Sequence, residues 1–273
     1  MLQDKRIGII GAGAVGSAIC HGLVRAEAAP ANRIVVYDTD PAKTQALHEQ
    51  VGIKIADTSI QVAKFTDLIV LALERDASDA TLEEIRDVLK RDGGKPQPLV
   101  LSLIPNLTLT VLNAAIGGAV PTSRAAVGLS ASLGTSDSLY SLSDSADENY
   151  AGQVRAFLEA LGTAIQVPEH ALATAVSYAQ ALPAAHYLLL EAMISGGVRS
   201  GLPYVAATQI AARTMREAAQ SASETELHLS TLRDLSAPPA SGMLELLADL
   251  ERASVRAALS DAITDALSLI PEA

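Results

Sequence analysis

Arg6-Ile7-Gly8-Ile9-Ile10-Gly11-Ala12-Gly13-Ala14-Val15-Gly16-Ser17-Ala18-Ile19 joins a short apolar run, a glycine bend spaced GxGxxG and the opening of a helix. In that grammar the first glycine permits the tight turn, the second lets backbone approach a pyrophosphate, and the third lets the helix pack close to the strand. The free N–H groups of the helix then face the phosphate charge. A glycine bend alone is weak support, but here it follows an apolar strand and precedes a second one, Arg33-Ile34-Val35-Val36-Tyr37, which ends in Asp38. An acid at that place suits a ribose 2′-hydroxyl. The stretch predicts a nicotinamide or flavin dinucleotide lying on Gly11, Ala12, Gly13, Ala14, Val15 and Gly16, with Asp38 on its sugar.

The bulk properties agree with an enzyme-sized chain. Its 273 residues are 49% apolar, enough for one large or two ordinary cores. A net charge of -11 repels phosphate backbones and anionic membrane surfaces, so neither nucleic acid nor a membrane is an expected partner. Small molecules and protein chains remain. The single cysteine, Cys20, has no partner for an internal disulfide, which fits a cytoplasmic, reducing location. Lys5-Arg6 before an apolar stretch imitates a signal peptide, yet cleavage there would remove the first strand and bend. The run from Ala171 to Met193 is apolar enough to imitate a membrane span, but Gln180, Pro183, His186 and Glu191 interrupt it. It reads better as a helix buried in the chain or against a second subunit.

Two textures divide the sequence. Up to Val167, short apolar runs alternate with helical stretches. Asp67 to Leu73 and Pro98 to Leu103 lack polar alternation, as strands covered on both faces do. Asp79 to Asp92 has helical spacing, with acids early and Lys90 and Arg91 late, as the helix dipole favours. The expected fold is α/β: a Rossmann-type doubly wound parallel sheet over residues 1–167. Ala72 and Leu73, at the end of the run from Asp67, join the cofactor-facing set. The Ser-, Asp- and Gly-rich segment from Ser130 to Asn149 reads as turns around short edge strands, Leu139 to Leu142 among them. After Pro168 strand signals vanish and alanine-rich helix follows, so 168–273 is expected to be an all-helical substrate and dimerisation domain. The five histidines are dispersed, and no ligand spacing for a metal is found.

These residues carry a family resemblance. Gly11 to Asp38, and Leu182-Pro183-Ala184-Ala185 with Glu191-Ala192, Gly196-Gly197-Val198-Arg199-Ser200-Gly201-Leu202 and Leu232-Arg233-Asp234, resemble a pyrroline-5-carboxylate reductase. The resemblance implies a Rossmann domain joined to a helical domain that pairs two chains, with ring-like assemblies of such dimers also known in the family. Independently, Leu244, Leu247, Leu250, Ala258, Ile263 and Leu267 form a broad apolar face on the last helical stretch, which must be buried by the chain's own core or by a second copy.

The departures matter as much. The family's GSGP turn reads Gln180-Ala181-Leu182-Pro183 here, and its SPGGTT turn reads Pro238-Pro239-Ala240-Ser241-Gly242-Met243. The family's MPN.P segment is replaced by Ala126-Val127-Gly128-Leu129-Ser130. Small polar donors have become apolar, and proline removes a backbone donor outright. A carboxylate against such a wall is poorly solvated, which argues against pyrroline-5-carboxylate itself as substrate. Asp38, with Asp40 close behind, would repel a 2′-phosphate by ~4 kcal/mol per close pair at an intermediate dielectric, so NADH is expected over NADPH.

The expected activity is NADH-dependent reduction of the C=N bond of a small cyclic imine. The candidate proton donors are Tyr178, Gln180 and His186 around Pro183, with Ser241 the surviving hydroxyl of the second turn. Tyr178 is the first choice, next to the family's carboxylate-binding turn; Ser241 could equally cap the last helix. Two rivals stand beside this reading: a carbonyl reductase or dehydrogenase using Tyr178 or His186 as its acid, and a non-catalytic, dimeric NAD-binding protein.

Overall fold

The computed structural model describes residues 2–90, 96–118, 120–237 and 242–268. The chain divides into two compact units, the first running to Val176 and the second from Ser177.

The first unit is one eight-stranded sheet. Its strands are β1 Ile7–Ile10, β2 Ile34–Tyr37, β3 Lys54–Ile55, β4 Leu68–Leu71, β5 Leu99–Ser102, β6 Thr122–Ala126, β7 Ser136–Leu142 and β8 Gly162–Gln166. Their spatial order is β3-β2-β1-β4-β5-β6-β7-β8. Strands β1 to β6 pair in parallel, β6 and β7 antiparallel, and β7 and β8 in parallel. The order reverses between β1 and β4, which is where an open α/β sheet of this kind receives its ligand. Helices α1 Ala14–Arg25, α2 Pro41–Val51, α3 Ser59–Phe65, α4 Arg75–Leu89, α5 Leu109–Ala115 and α6 Glu148–Glu159 connect the strands.

Both faces of the sheet are covered, and the strands' period of two divides the core accordingly. Ile7, Ile9, Leu68, Val70, Leu99 and Leu101 pack on one side with Ile19 and Leu23 of α1 and Val154 and Phe157 of α6. Ile10, Ile69, Leu71 and Val100 pack on the other with Val62, Leu82, Ile85, Leu89 and Leu112 of α3, α4 and α5. The continuous apolar runs therefore have the cause inferred from sequence. Helix α4 begins four residues before Asp79, and the segment 91–95 lies outside the described residues.

One strand expectation needs correction. The run from Leu139 to Leu142 belongs to β7, which is interior, with β6 and β8 on its two sides. Its serines disguise it. Ser136, Ser138 and Ser141 are buried, and hydrogen bonds satisfy their hydroxyls: Ser136 Oγ accepts from the Gly128 N–H at 3.0 Å, Ser138 Oγ pairs with Ser136 Oγ at 3.4 Å, and the Ser141 hydroxyl donates to Glu169.

Helix α7, Glu169–Arg199, begins in the first unit and ends in the second. The second unit continues with α8 Tyr204–Glu224, α9 Leu229–Leu235, α10 Met243–Arg252 and α11 Val255–Ser268. The last helical stretch is thus two helices, separated at Ser254, whose φ of 55° lies in the left-handed region. Among the described residues of this unit only Ala207, Ala211 and Ala237 are buried. Helix α7 is long and apolar enough to cross a membrane by length and composition, yet it buries only Leu172. Among the described residues, most of α7 is therefore not buried by its own chain, and α10 and α11 likewise bury none of theirs.

Candidate active site

The glycine bend sits at the carboxyl end of β1. Gly11 has φ +106°, and a Cβ placed there would lie 2.2 Å from the Ala72 carbonyl oxygen. At Gly16 a Cβ would lie 2.0 Å from the Gly11 carbonyl oxygen, so α1 returns over the bend at a distance only glycine allows. Gly13 differs. It is the N-cap of α1 with φ −68°, and a Cβ there would meet nothing within 4 Å. The chain's own packing explains the glycines at 11 and 16 and leaves open space over 13. No side chain caps α1, so its first-turn N–H groups are available to an anion.

Asp38, just past β2, ties the bend down. Its Oδ2 accepts from the Ala12 N–H at 2.7 Å and its Oδ1 from the Asp40 N–H at 2.9 Å. A carboxylate has about four acceptor sites, so room remains for sugar hydroxyls. Asp40 has a separate task, capping α2 by accepting from the Ala42 N–H at 3.0 Å. Lys43 Nζ stands 3.8 Å from Asp38 Oδ1, a cation the sequence reading passed over. Ala72 and Leu73 follow β4, and both come within 3.3 Å of a Cβ built on Gly11, so they adjoin the bend.

A second polar cluster in the same unit escaped the sequence reading. Glu169, the first residue of α7, accepts through Oε1 from Arg124 Nη1 at 2.7 Å and from the Leu109 N–H at 2.9 Å. Its Oε2 accepts from the Ser141 hydroxyl. Arg124 is a buried residue of β6. Burial pushes the Glu169 carboxyl up, but bonds from Ser141, the Leu109 N–H and Arg124 outweigh it and hold the group below its ordinary value. The available signals were an arginine inside a strand and an acid opening a long helix.

The proposed donors lie in the second unit. Tyr178, Gln180 and His186 are all exposed on α7, which is helical without interruption from Glu169 to Arg199 although Pro183 lies inside it. At about 100° per residue, Tyr178 and His186 differ by roughly 80° around the helix and ~12 Å along it, whereas Tyr178 and Gln180 differ by roughly 200°. The helix therefore sets Gln180 on the side away from Tyr178. Ser241 lies outside the described residues.

A glycine bend at the switch point of a doubly wound sheet, with an acid at the end of the neighbouring strand, defines a dinucleotide-binding protein. Residues 6–93 match the family model described as NADP oxidoreductase, coenzyme F420-dependent, and residues 169–271 match the pyrroline-5-carboxylate reductase dimerisation model. Pyrroline-5-carboxylate reductase of Escherichia coli is 30% identical over 268 residues, 96% of each chain. Among solved structures, a pyrroline-5-carboxylate reductase of Coxiella burnetii superposes with a TM-score of 0.81 at 24% identity, covering 97% of this chain and 96% of that one. The Plasmodium falciparum pyrroline carboxylate reductase with NADP bound gives 0.70 at 19% identity, covering 97% of both. The chain belongs to the pyrroline-5-carboxylate reductase family, and is an NAD(P)H-dependent oxidoreductase acting on C=N bonds.

Proposed function

We propose that the chain reduces a small cyclic imine lacking a carboxylate, prefers NADH, and works as a homodimer in the cytoplasm. The observation that carries the substrate reading is the unbroken course of α7 through Gln180-Ala181-Leu182-Pro183. In a continuous helix each N–H is committed to the carbonyl four residues back, and proline has none, so this segment has no backbone donors for a substrate carboxylate. Its side chains contribute one amide and otherwise hydrocarbon. Residues 1–167 and 168–273 are taken as the cofactor-binding and the substrate and dimerisation domains.

The residues fit the coenzyme. The open space at Gly13 and the uncapped start of α1 suit a pyrophosphate, and the spare acceptor sites of Asp38 suit ribose hydroxyls. Asp38 would repel a 2′-phosphate, a charge that Lys43 only partly offsets at 3.8 Å. When bound, the reduced nicotinamide supplies the hydride. The protein's part is to align an electrophilic carbon with it, exclude water and see that the imine nitrogen carries a proton. Tyr178 is the proposed source of that proton, with His186 second; Gln180 and Ser241 remain candidates for substrate contact.

Steady-state rates with NADH on 1-pyrroline, pyrroline-5-carboxylate and cyclopentanone test the reading. The uncharged imine should be reduced with kcat/KM about tenfold or more above the carboxylated one, a difference of ~1.4 kcal/mol, and the ketone hardly at all. Preference for the carboxylated imine would remove the altered pocket. Faster turnover of the ketone would make this a carbonyl reductase, and tight NADH binding without turnover a non-catalytic binder.

A further inference from the structure

The register of the sheet gives the cluster around Glu169 a meaning beyond packing. Ile10, Leu71, Ser102, Arg124 and Ser141 stand in one row across β1, β4, β5, β6 and β7. Gly11, Ala72 and Leu103 follow immediately, so the row marks the carboxyl ends of β1, β4 and β5, where the ligand crevice opens, while β6 runs on to Ala126. Arg124 lies on β6, three strands or roughly 14 Å from β1, in the second of the two mononucleotide-binding halves of such a sheet.

Glu169 closes that end of the row. Through Arg124 it holds the middle of β6, level with the last residues of β4 and β5, through Ser141 it holds β7, and through the Leu109 N–H it holds the start of α5, and with it the loop 103–108 that leaves β5 at the crevice. One carboxylate thereby sets where β6, α5 and the first turn of α7 stand relative to each other. The adenosine half of the crevice is organised by other residues, the bend and Asp38.

We infer that Glu169 is a positioning residue for hydride transfer: by fixing Arg124, the loop 103–108 and the root of α7, it shapes the half of the crevice that receives the nicotinamide. The inference rests on the dinucleotide reading above. Glu169 touches no reacting atom, and its effect on the reaction passes through the elements it binds.

The test compares Glu169→Ala and Glu169→Gln with the unaltered enzyme, at a temperature where circular dichroism finds all three folded. The glutamine can still accept from Arg124 and Leu109, and its amide can face Ser141, so it should restore most of what alanine loses. Glu169→Ala should lower kcat on the imine by about tenfold to a hundredfold, the range expected for misplacement on the ångström scale. Its dissociation constant for NADH should change little, because the bend and Asp38 are intact. The emission of bound NADH should move toward that of the free coenzyme; the chain contains no tryptophan to complicate this signal. Unchanged kcat and emission in Glu169→Ala, or a loss of NADH affinity in step with kcat, would overturn the inference and leave the dinucleotide reading standing. Failure of the unaltered protein to bind NADH would overturn both.

Discussion

A methyl group added at position 11 and one added at position 13 should do different damage. Gly11→Ala forces a Cβ to 2.2 Å from the Ala72 carbonyl oxygen at φ +106°, so urea unfolding should report a loss of at least ~1–3 kcal/mol. Gly13→Ala meets nothing within 4 Å at φ −68°, and should cost no more than the ~1 kcal/mol by which alanine is the poorer N-cap. It should nevertheless lose the extra stability that saturating NADH confers on the parent, because the methyl occupies the space assigned to the pyrophosphate. If Gly13→Ala binds NADH as well as the parent, the pyrophosphate does not lie there. Asp38→Ala asks the matching question of the sugar. The ratio of kcat/KM with NADH to that with NADPH should fall about tenfold or more, equivalent to ~1.4 kcal/mol, and an unchanged ratio would sink the assignment. At this scale the bend and Asp38 were legible because each answers to a local rule of spacing. Lys43, Arg124 and Glu169 were not, because their partners come from other elements: Glu169 is 60 residues from Leu109 and 45 from Arg124.

Between elements, the charge on Glu169 should make the attachment of α7 sensitive to acid. Its folded value lies below the ordinary 4.5, so its contribution to stability is present above that value and is lost as pH falls through the lowered one. The stability gap between the parent and Glu169→Gln should thus be widest near neutral pH and shrink below about pH 4. A gap constant down to about pH 3 would mean that shape rather than charge secures the helix. The same elements explain what sequence could and could not reveal. Strands β1, β4 and β5 were readable because burial on both faces leaves an unbroken apolar run. Strand β7 was readable only in part, as an edge strand over Leu139 to Leu142, since the buried serines of its first half are satisfied by partners such as Gly128 and look like a polar turn when read alone. The break between α10 and α11 was equally hidden, because the apolar spacing continues across Ser254 while the backbone does not.

At the scale of the whole molecule, the second unit leaves a question its own chain does not answer. Tyr187, Leu188, Tyr204, Val205 and Leu235 each expose about two thirds of their surface, while three alanines account for the unit's buried residues among those described. Apolar area on this scale marks an interface, and residues 169–271 match a dimerisation model. A second copy is the partner proposed here, with both chains carrying a net charge of -11. Association must then come from hydrocarbon burial against like-charge repulsion, over an area in the range of obligate interfaces, ~2,000 Å² or more. Two outcomes follow from that balance. Sedimentation should find a dimer or a larger assembly that added salt does not dissociate, because screening weakens only the repulsion. Leu188→Glu combined with Val205→Glu should release single chains and lower helical ellipticity, since the second unit has little intrachain core to fall back on. A double variant that stays associated, or a parent that sediments as a single chain, would remove these helices from the interface and require another cover for them.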